Sequence, residues 1–282
     1  MISARLEILV GTQSNASLQY FCRFYFNRRG EGKIAVIWRA SFAQQPHIFP
    51  STTENPKDPE YSLDSTAEEG CIINMEGRME KLDLKKTLKY LYEPSAKAFS
   101  VVDVPPMNFI MIDGHGNPNT SPEYAESLQA LYTAAYTLKF KIKKELSVDY
   151  PVMASEGLWW MDDMREFSPA RKDDWKWTMM IMQPEIVTHQ LFVKAVDGAA
   201  KKKGQPALSR LRLELYHEGL ATQIMFFGPY ADEGPTIVRL HKSIEESGYV
   251  RFGKHHEIYL SDPRHTAPEK LRTVIRQPMR KT

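Results

Sequence analysis

The spacing of apolar positions changes character along the chain. Near the N-terminus it gives short strand-like runs, "ARLEILV" and "KIAVIWRASF". The next stretch, "HIFPSTTENPKDPEYSLDSTAEEG", is rich in Pro, Ser and Thr and has little to bury. A helical period then begins in "MEGRMEKLDLKKTLKYLYEPS", where Leu82, Leu84, Leu88 and Leu91 fall near one face. Two segments are expected: an N-terminal extension over residues 1–74 with loose order, and a domain over residues 75–282. The "EEG" before Met75 back-translates to purine-rich codons, so Met75 or Met79 is a candidate start, the leader then being translated upstream sequence. The alternative is a real but poorly packed extension.

From about Ala96 the order of elements occurs twice. The first half opens on "AFSVVDVPPMNFIMIDGHGNP", two strand-like runs around a Pro-Pro turn. A long helix follows in "SPEYAESLQALYTAAYTLKFKIKKEL", with Ser121 as N-cap and Pro122 at the first helical position. Leu128, Leu131, Ala135 and Leu138 form its apolar stripe. Strands "YPVMASEGLWW" and "WKWTMMIMQP" complete the half. The second half repeats the order in "LSRLRLELYHEGLATQIMFFGPY", the helix "EGPTIVRLHKSIEESG", "YVRFGKHHEIYLSD" and "EKLRTVIRQPM". A linking helix, "PEIVTHQLFVKAVDGAAKKKG", lies between. The pseudo-repeats run over about 96–184 and 208–279. This predicts an α+β fold: a duplicated β-α-β-β module, with two long helices on one face of a curved antiparallel sheet and a central ligand cleft on the other.

Composition narrows the classes. With 42% hydrophobic and 26% charged residues the chain is globular in character. A net charge of +2 does not argue for nucleic acid, and residues 1–74 lack the paired short helices of a helix-turn-helix. Cys22 and Cys71 fit neither a disulfide framework nor a metal site, which favours a reducing cytoplasm. No apolar run is long enough to span a membrane, and the N-terminus is too weakly apolar for a secretory signal.

The candidate chemistry starts at "EGLWW", Glu156 to Trp160. Strand alternation sends Trp159 and Trp160 to opposite faces and puts Glu156 with Leu158 and Trp160. The repeat pairs Glu156 with Glu257, which shares a face with His255, Tyr259 and Ser261. Two readings stay open: exposed glutamates on a half-solvated sheet, or acids facing an aromatic pocket. A pocket acid can hold a lipophilic cation, aided by Trp and Tyr faces. It can equally act as general base or acid after a pKa shift. Trp175 and Trp177 would be core packing or pocket wall. Asp113 and His115 in "IDGHGNP" lack a third metal ligand and read as a turn. Lys201 to Lys203 read as a basic helix end.

Three long motifs carry a resemblance: "FSVVDVPPMNFIMIDGHGNPN", the "EGLWW" strand and "KHHEIYLSDPRHTAPEKLRTVIRQPM". They resemble the GyrI-like small-molecule-binding family, in particular its stand-alone branch without a DNA-binding domain, over about Met79 to Met279. The resemblance implies a ligand cleft for bulky hydrophobic or cationic aromatic compounds, with no metal or organic cofactor. It maps the family's buried glutamate onto Glu257, with Tyr259 behind it. Beside that mapping, the reading of the residues makes Glu257 base or ligand anchor, Tyr259 its neighbour and donor, Glu156 a second acid, and Trp159, Trp160, Trp175 and Trp177 walls. It further implies one of three roles: hydrolysis of cyclopropanoid DNA-alkylating compounds, drug sensing or sequestration, or a protein partner such as gyrase or a regulator.

Overall fold

A computed structural model of the chain describes Ile2–Ile8, Tyr20–Phe26, Gly32–Ile37 and residues 79–281. The chain divides into two units, Met1–Gly77 and Arg78–Thr282. In the first, β1 (Ile2–Ile8), β2 (Tyr20–Phe26) and β3 (Gly32–Ile37) form an antiparallel sheet in that order. β1 and β3 fall on the two runs expected to be strands. The expectation of loose order for the rest of this stretch falls outside the described residues.

The second unit begins with β4 (Glu80–Lys81), α1 (Leu84–Thr87) and α2 (Lys89–Tyr92). The helical period over Leu82–Leu91 thus yields two short turns rather than one helix. Its first half continues with β5 (Ser100–Val104), β6 (Met107–His115), α3 (Pro122–Leu146), β7 (Val148–Asp149), β8 (Ser155–Trp160) and β9 (Lys176–Gln183). α4 (His189–Lys203) links to the second half: β10 (Arg212–Tyr216), β11 (Gly219–Phe227), α5 (Gly234–Glu246), β12 (Tyr249–Arg251), β13 (His255–Tyr259) and β14 (Arg272–Lys281).

Local rules account for the helices. Ser121 caps α3 by accepting from the Tyr124 backbone N–H, with Pro122 at the first turn. Leu131, Ala135 and Leu138 are fully buried along it, as the stripe requires. Thr188 caps α4, and Gly204 closes it in the left-handed region at φ 56°.

The nine-stranded antiparallel sheet runs β10-β6-β9-β8-β13-β14-β11-β5, with β12 paired to β14. The repeat is visible in that order: β6, β9 and β8 on one side of the β8–β13 seam match β11, β14 and β13 on the other. The first strand of each half is exchanged. β5 pairs with β11, and β10 pairs with β6, so neither Pro105-Pro106 nor His217-Glu218 closes a hairpin.

Register sorts the side chains onto two faces. Glu257 lies opposite Gly157 and Ile275, and Trp159 lies opposite Trp177, so these share a face. That face carries the helices: Tyr124 of α3 packs edge-on against Trp177, and Leu240 of α5 packs with Ile224 and Ile275. Glu156, His256 and Arg276 point to the opposite face, which Leu91 and Tyr92 of α2 cover.

Gly114 sits opposite Trp177 in the β6–β9 ladder, and the indole lies where a side chain on Gly114 would be. Gly114→Ala would overpack a fully buried ring. It should lower unfolding stability by about 1–3 kcal/mol, read from the denaturant midpoint.

Candidate functional site

Acidic and aromatic side chains gather on the helical face, where α3 and α5 begin. The sequence pointed to a cleft on the other face. The helix starts make the difference: Tyr124 sits in the first turn of α3, while Tyr230 and Glu233 immediately precede α5.

Glu257 lies at the centre. Tyr259 donates its hydroxyl to Glu257 Oε2 at 2.8 Å, and His255 Nε2 lies 3.1 Å from Oε1. The Trp159 indole N–H donates to the Tyr259 oxygen at 3.0 Å. That bond depends on Gly157: a Cβ there would lie 2.7 Å from Trp159 Nε1 and 3.1 Å from Tyr259 Oη. In "EGLWW" the glycine makes room for the indole to lie across the strand. The walls extend outward: Trp159 packs on Tyr124 and Trp175, Trp175 stacks on Phe167, and Tyr230 meets Tyr259 edge-on. The Glu257 side chain keeps 15% of its surface exposed, so water can reach it.

Burial alone would raise the Glu257 carboxyl. The hydrogen bonds and charge of His255, with the bond from Tyr259, outweigh it and hold the group below the usual carboxylate range. Glu233 shows the opposite behaviour. Burial, then the charge of Glu257 beside it, push its carboxyl up to about 9. Tyr259 is raised well above 10 by burial and the Glu257 charge, so it remains a hydrogen-bond donor across the physiological range.

The remaining expected site residues fall elsewhere. Glu156 is on the far face, where it accepts from Tyr92 Oη at 2.6 Å and meets His256 Nε2 at 3.0 Å. It is not a second acid beside Glu257. The expectation paired two strand glutamates by sequence, whereas the β8–β13 register sets Glu257 opposite Gly157 and Ile258 opposite Glu156. Trp160 is likewise no pocket wall: it shares the Glu156 face and lies under the Lys254 ammonium, 3.4 Å from the ring centroid. Trp177 is fully buried and supports the site through Tyr124. Trp159 bonds to Tyr259 beside Glu257, and Trp175 packs on Trp159. Asp113 serves the sheet, accepting from Thr178 at 2.7 Å and pairing with Arg212 at 2.9 Å.

Sequence reasoning missed Glu233, Phe167, Tyr124 and Tyr230. For Glu233 the signal is structural. It occupies the N-cap of α5, where Ser, Thr, Asp or Asn is preferred, and its side chain makes no capping bond.

A surface hollow of about 490 Å³ is lined by Asp162, Asp163, Glu166, Asp173 and Asp174 with Arg171 and Lys176, and by neither Glu257 nor Tyr259. Arg171 pairs with Glu166 and Asp174, and Lys176 with Asp162, so much of its charge is internally balanced. Among the described residues no group of three or more His, Cys, Asp or Glu side chains is arranged to hold a metal ion. No described helix is long and apolar enough to cross a membrane.

Comparison with known proteins agrees with this architecture. No curated protein matches the chain. An uncharacterised conserved protein of Listeria innocua is 38% identical, covering 71% of this chain and all of its own, with a TM-score of 0.66. A hydrolase of Listeria innocua is 36% identical over the same shares, with a TM-score of 0.65. The family model for the GyrI-like small molecule binding domain matches residues 97–280. With the doubled module, the shared strand order around one seam and that match, the chain belongs to the GyrI-like small-molecule-binding family.

Proposed function

We propose that the Glu257 pocket binds a bulky aromatic small molecule and hydrolyses a strained cyclopropane in it, with Glu257 as the base that activates water. The observation that carries this reading is the state of Glu257. It is an ionised carboxylate, partly open to solvent, held by His255 and Tyr259 inside an aromatic enclosure. The hydrolase of Listeria innocua, similar along its whole length, supports the same reading.

In the proposed step, Glu257 takes a proton from water as the water oxygen bonds to a cyclopropane carbon. The ring C–C bond breaks, and its electron pair moves through the conjugated dienone to the carbonyl oxygen, which is then protonated. Ring strain supplies part of the driving force. Trp159, Trp175 and Phe167 would seat the aromatic body by stacking.

The test mixes the full chain with a cyclopropane-bearing dienone of the duocarmycin type and follows it by mass spectrometry. Addition of one water, at many turnovers per protein, is the expected result. Unchanged mass with stoichiometric quenching of tryptophan fluorescence would overturn hydrolysis and leave a binding module for aromatic compounds.

A further inference from the structure

Glu233 is the group in this site that no sequence feature had assigned. It stands at the start of α5 with 3% of its surface exposed. A side chain at this position ordinarily turns back to the helix and accepts a backbone N–H. Glu233 makes no such bond and lies within hydrogen-bond reach of Glu257. Its Oε1 atom is buried with no hydrogen bond of ordinary length, although the Thr273 hydroxyl stands beside the same carboxyl. A buried polar atom left in this way is a feature that a reacting site explains. Glu257 and Tyr259 on β13, Tyr230 ahead of α5, Thr273 on β14 and Lys172 from the β8–β9 connection surround it.

Two neighbouring carboxyls whose hold on a proton is pushed in opposite directions, Glu233 up and Glu257 down, can work as an acid–base pair. Their closeness restricts what they can serve. In a cyclopropyl dienone the attacked carbon and the oxygen that gains the proton are separated by the whole conjugated system. Adjacent carboxyls suit a substrate in which those atoms are bonded to each other. We infer that Glu233 is a second reacting carboxyl of this site, and that the Glu233–Glu257 pair equips it to open aryl epoxides.

This inference rests on the reading of Glu257 as the water-activating base. Glu257 accepts a proton from water while the water oxygen bonds to the epoxide carbon. The carbon–oxygen bond of the ring breaks, and its electron pair stays on oxygen. Glu233 gives that oxygen its proton, yielding a vicinal diol. Glu257 is then protonated and Glu233 ionised, and one transfer across their shared contact restores the starting state. Atoms and charge balance with water as the sole co-reactant.

The experiment incubates the full chain with styrene oxide in ¹⁸O-labelled water and measures phenylethanediol by mass spectrometry. Diol carrying one solvent oxygen, formed over many turnovers, is expected. Glu233→Gln matches the shape of the protonated acid but cannot donate its proton. It should lower kcat at least about 100-fold with KM little changed, and Glu233→Asp should recover part of the loss. Wild-type turnover should fall as pH rises through about 9, where Glu233 loses its proton, and the residual turnover of Glu233→Gln should be flat there. That wild-type limb is readable even if a variant folds poorly.

The failures are separable. Hydrolysis of the cyclopropyl dienone without any of styrene oxide would overturn this inference and leave the proposed function standing. Hydrolysis of neither would overturn both. Epoxide turnover that Glu233→Gln leaves intact would remove Glu233 from the reaction.

Discussion

Glu257→Gln should reduce kcat for a cyclopropane-bearing dienone by about 100- to 10,000-fold, with little change in KM. The substitution keeps the shape of the side chain and an oxygen to accept from Tyr259, whose bond to Glu257 is 2.8 Å. It removes the basicity that draws a proton from water. The aromatic walls do not depend on the charge, so binding should persist in fluorescence titrations. Loss of binding together with turnover would instead mark Glu257 as an anchor for the ligand. A change of less than about tenfold in kcat would exclude it as the base.

The pH profile carries the same information. Glu257 titrates below the usual carboxylate range, so activity should hold on the acid side until that group is protonated. Glu233 titrates at about 9, and a reaction that uses its proton should decline above that pH. The two limbs belong to the pair as a unit. In Glu257→Gln the charge that helps raise Glu233 is gone, so any surviving alkaline limb should move down.

The second large effect concerns the other face of the sheet. Arg276→Ala should destabilise the fold by about 3–5 kcal/mol in chemical denaturation, because it leaves a buried charge without its partner. Arg276 is 1% exposed and donates to Gln223 Oε1 at 2.9 Å, Glu218 Oε2 at 3.0 Å and the Leu91 carbonyl at 2.7 Å. Next to it, His256 lies between two carboxylates, with Nδ1 2.9 Å from Glu218 and Nε2 3.0 Å from Glu156. Both ring nitrogens thus face acceptors, which favours the imidazolium. A loss below about 1 kcal/mol would mean that water or rearrangement satisfies Glu218 without the guanidinium.

This cluster also sets how stability varies with pH. Burial opposes the His256 charge, but Glu218 and Glu156 outweigh it and raise the group from 6.5 to about 9. Its contribution is complete below pH 6.5 and fades as pH rises through about 9. Burial likewise opposes the Glu218 charge, yet His256 and Arg276 bring it from 4.5 down to about 2. That contribution is complete above pH 4.5 and fades as pH falls through about 2. Stability should therefore be greatest between about pH 4.5 and 6.5 as far as this cluster governs it.

Much of the fold could be read from local pattern. The α3 stripe, the cap at Ser121, the Gly204 terminus and the doubled order of strands follow from spacings of a few residues. They hold wherever the elements end up in space. Strand alternation also placed Glu257 with Tyr259 and separated Trp159 from Trp160, because the period of two is a property of one strand. The two short helices before β5 went the other way: a helical period in Leu82–Leu91 does not set where the chain must turn to follow the sheet.

Spacing along the chain is enough to predict a doubled α+β module with an acid and aromatics on its central strands. Which acids meet depends on pairing between distant strands. Glu156 and Glu257 look equivalent in sequence, but the β8–β13 register sends them to opposite faces, one into an ionic cluster with His256 and one beside Tyr259 and His255. Glu233 joins Glu257 from a helix start 24 positions away in the chain, and Phe167 and Trp175, from the loop between β8 and β9, stack on each other beside His255 and Trp159. Register and long-range approach come from pairing between distant segments. Local periodicity holds no record of that pairing, so Glu257 and Tyr259 could be placed on one face from the sequence while the approach of Glu233 could not.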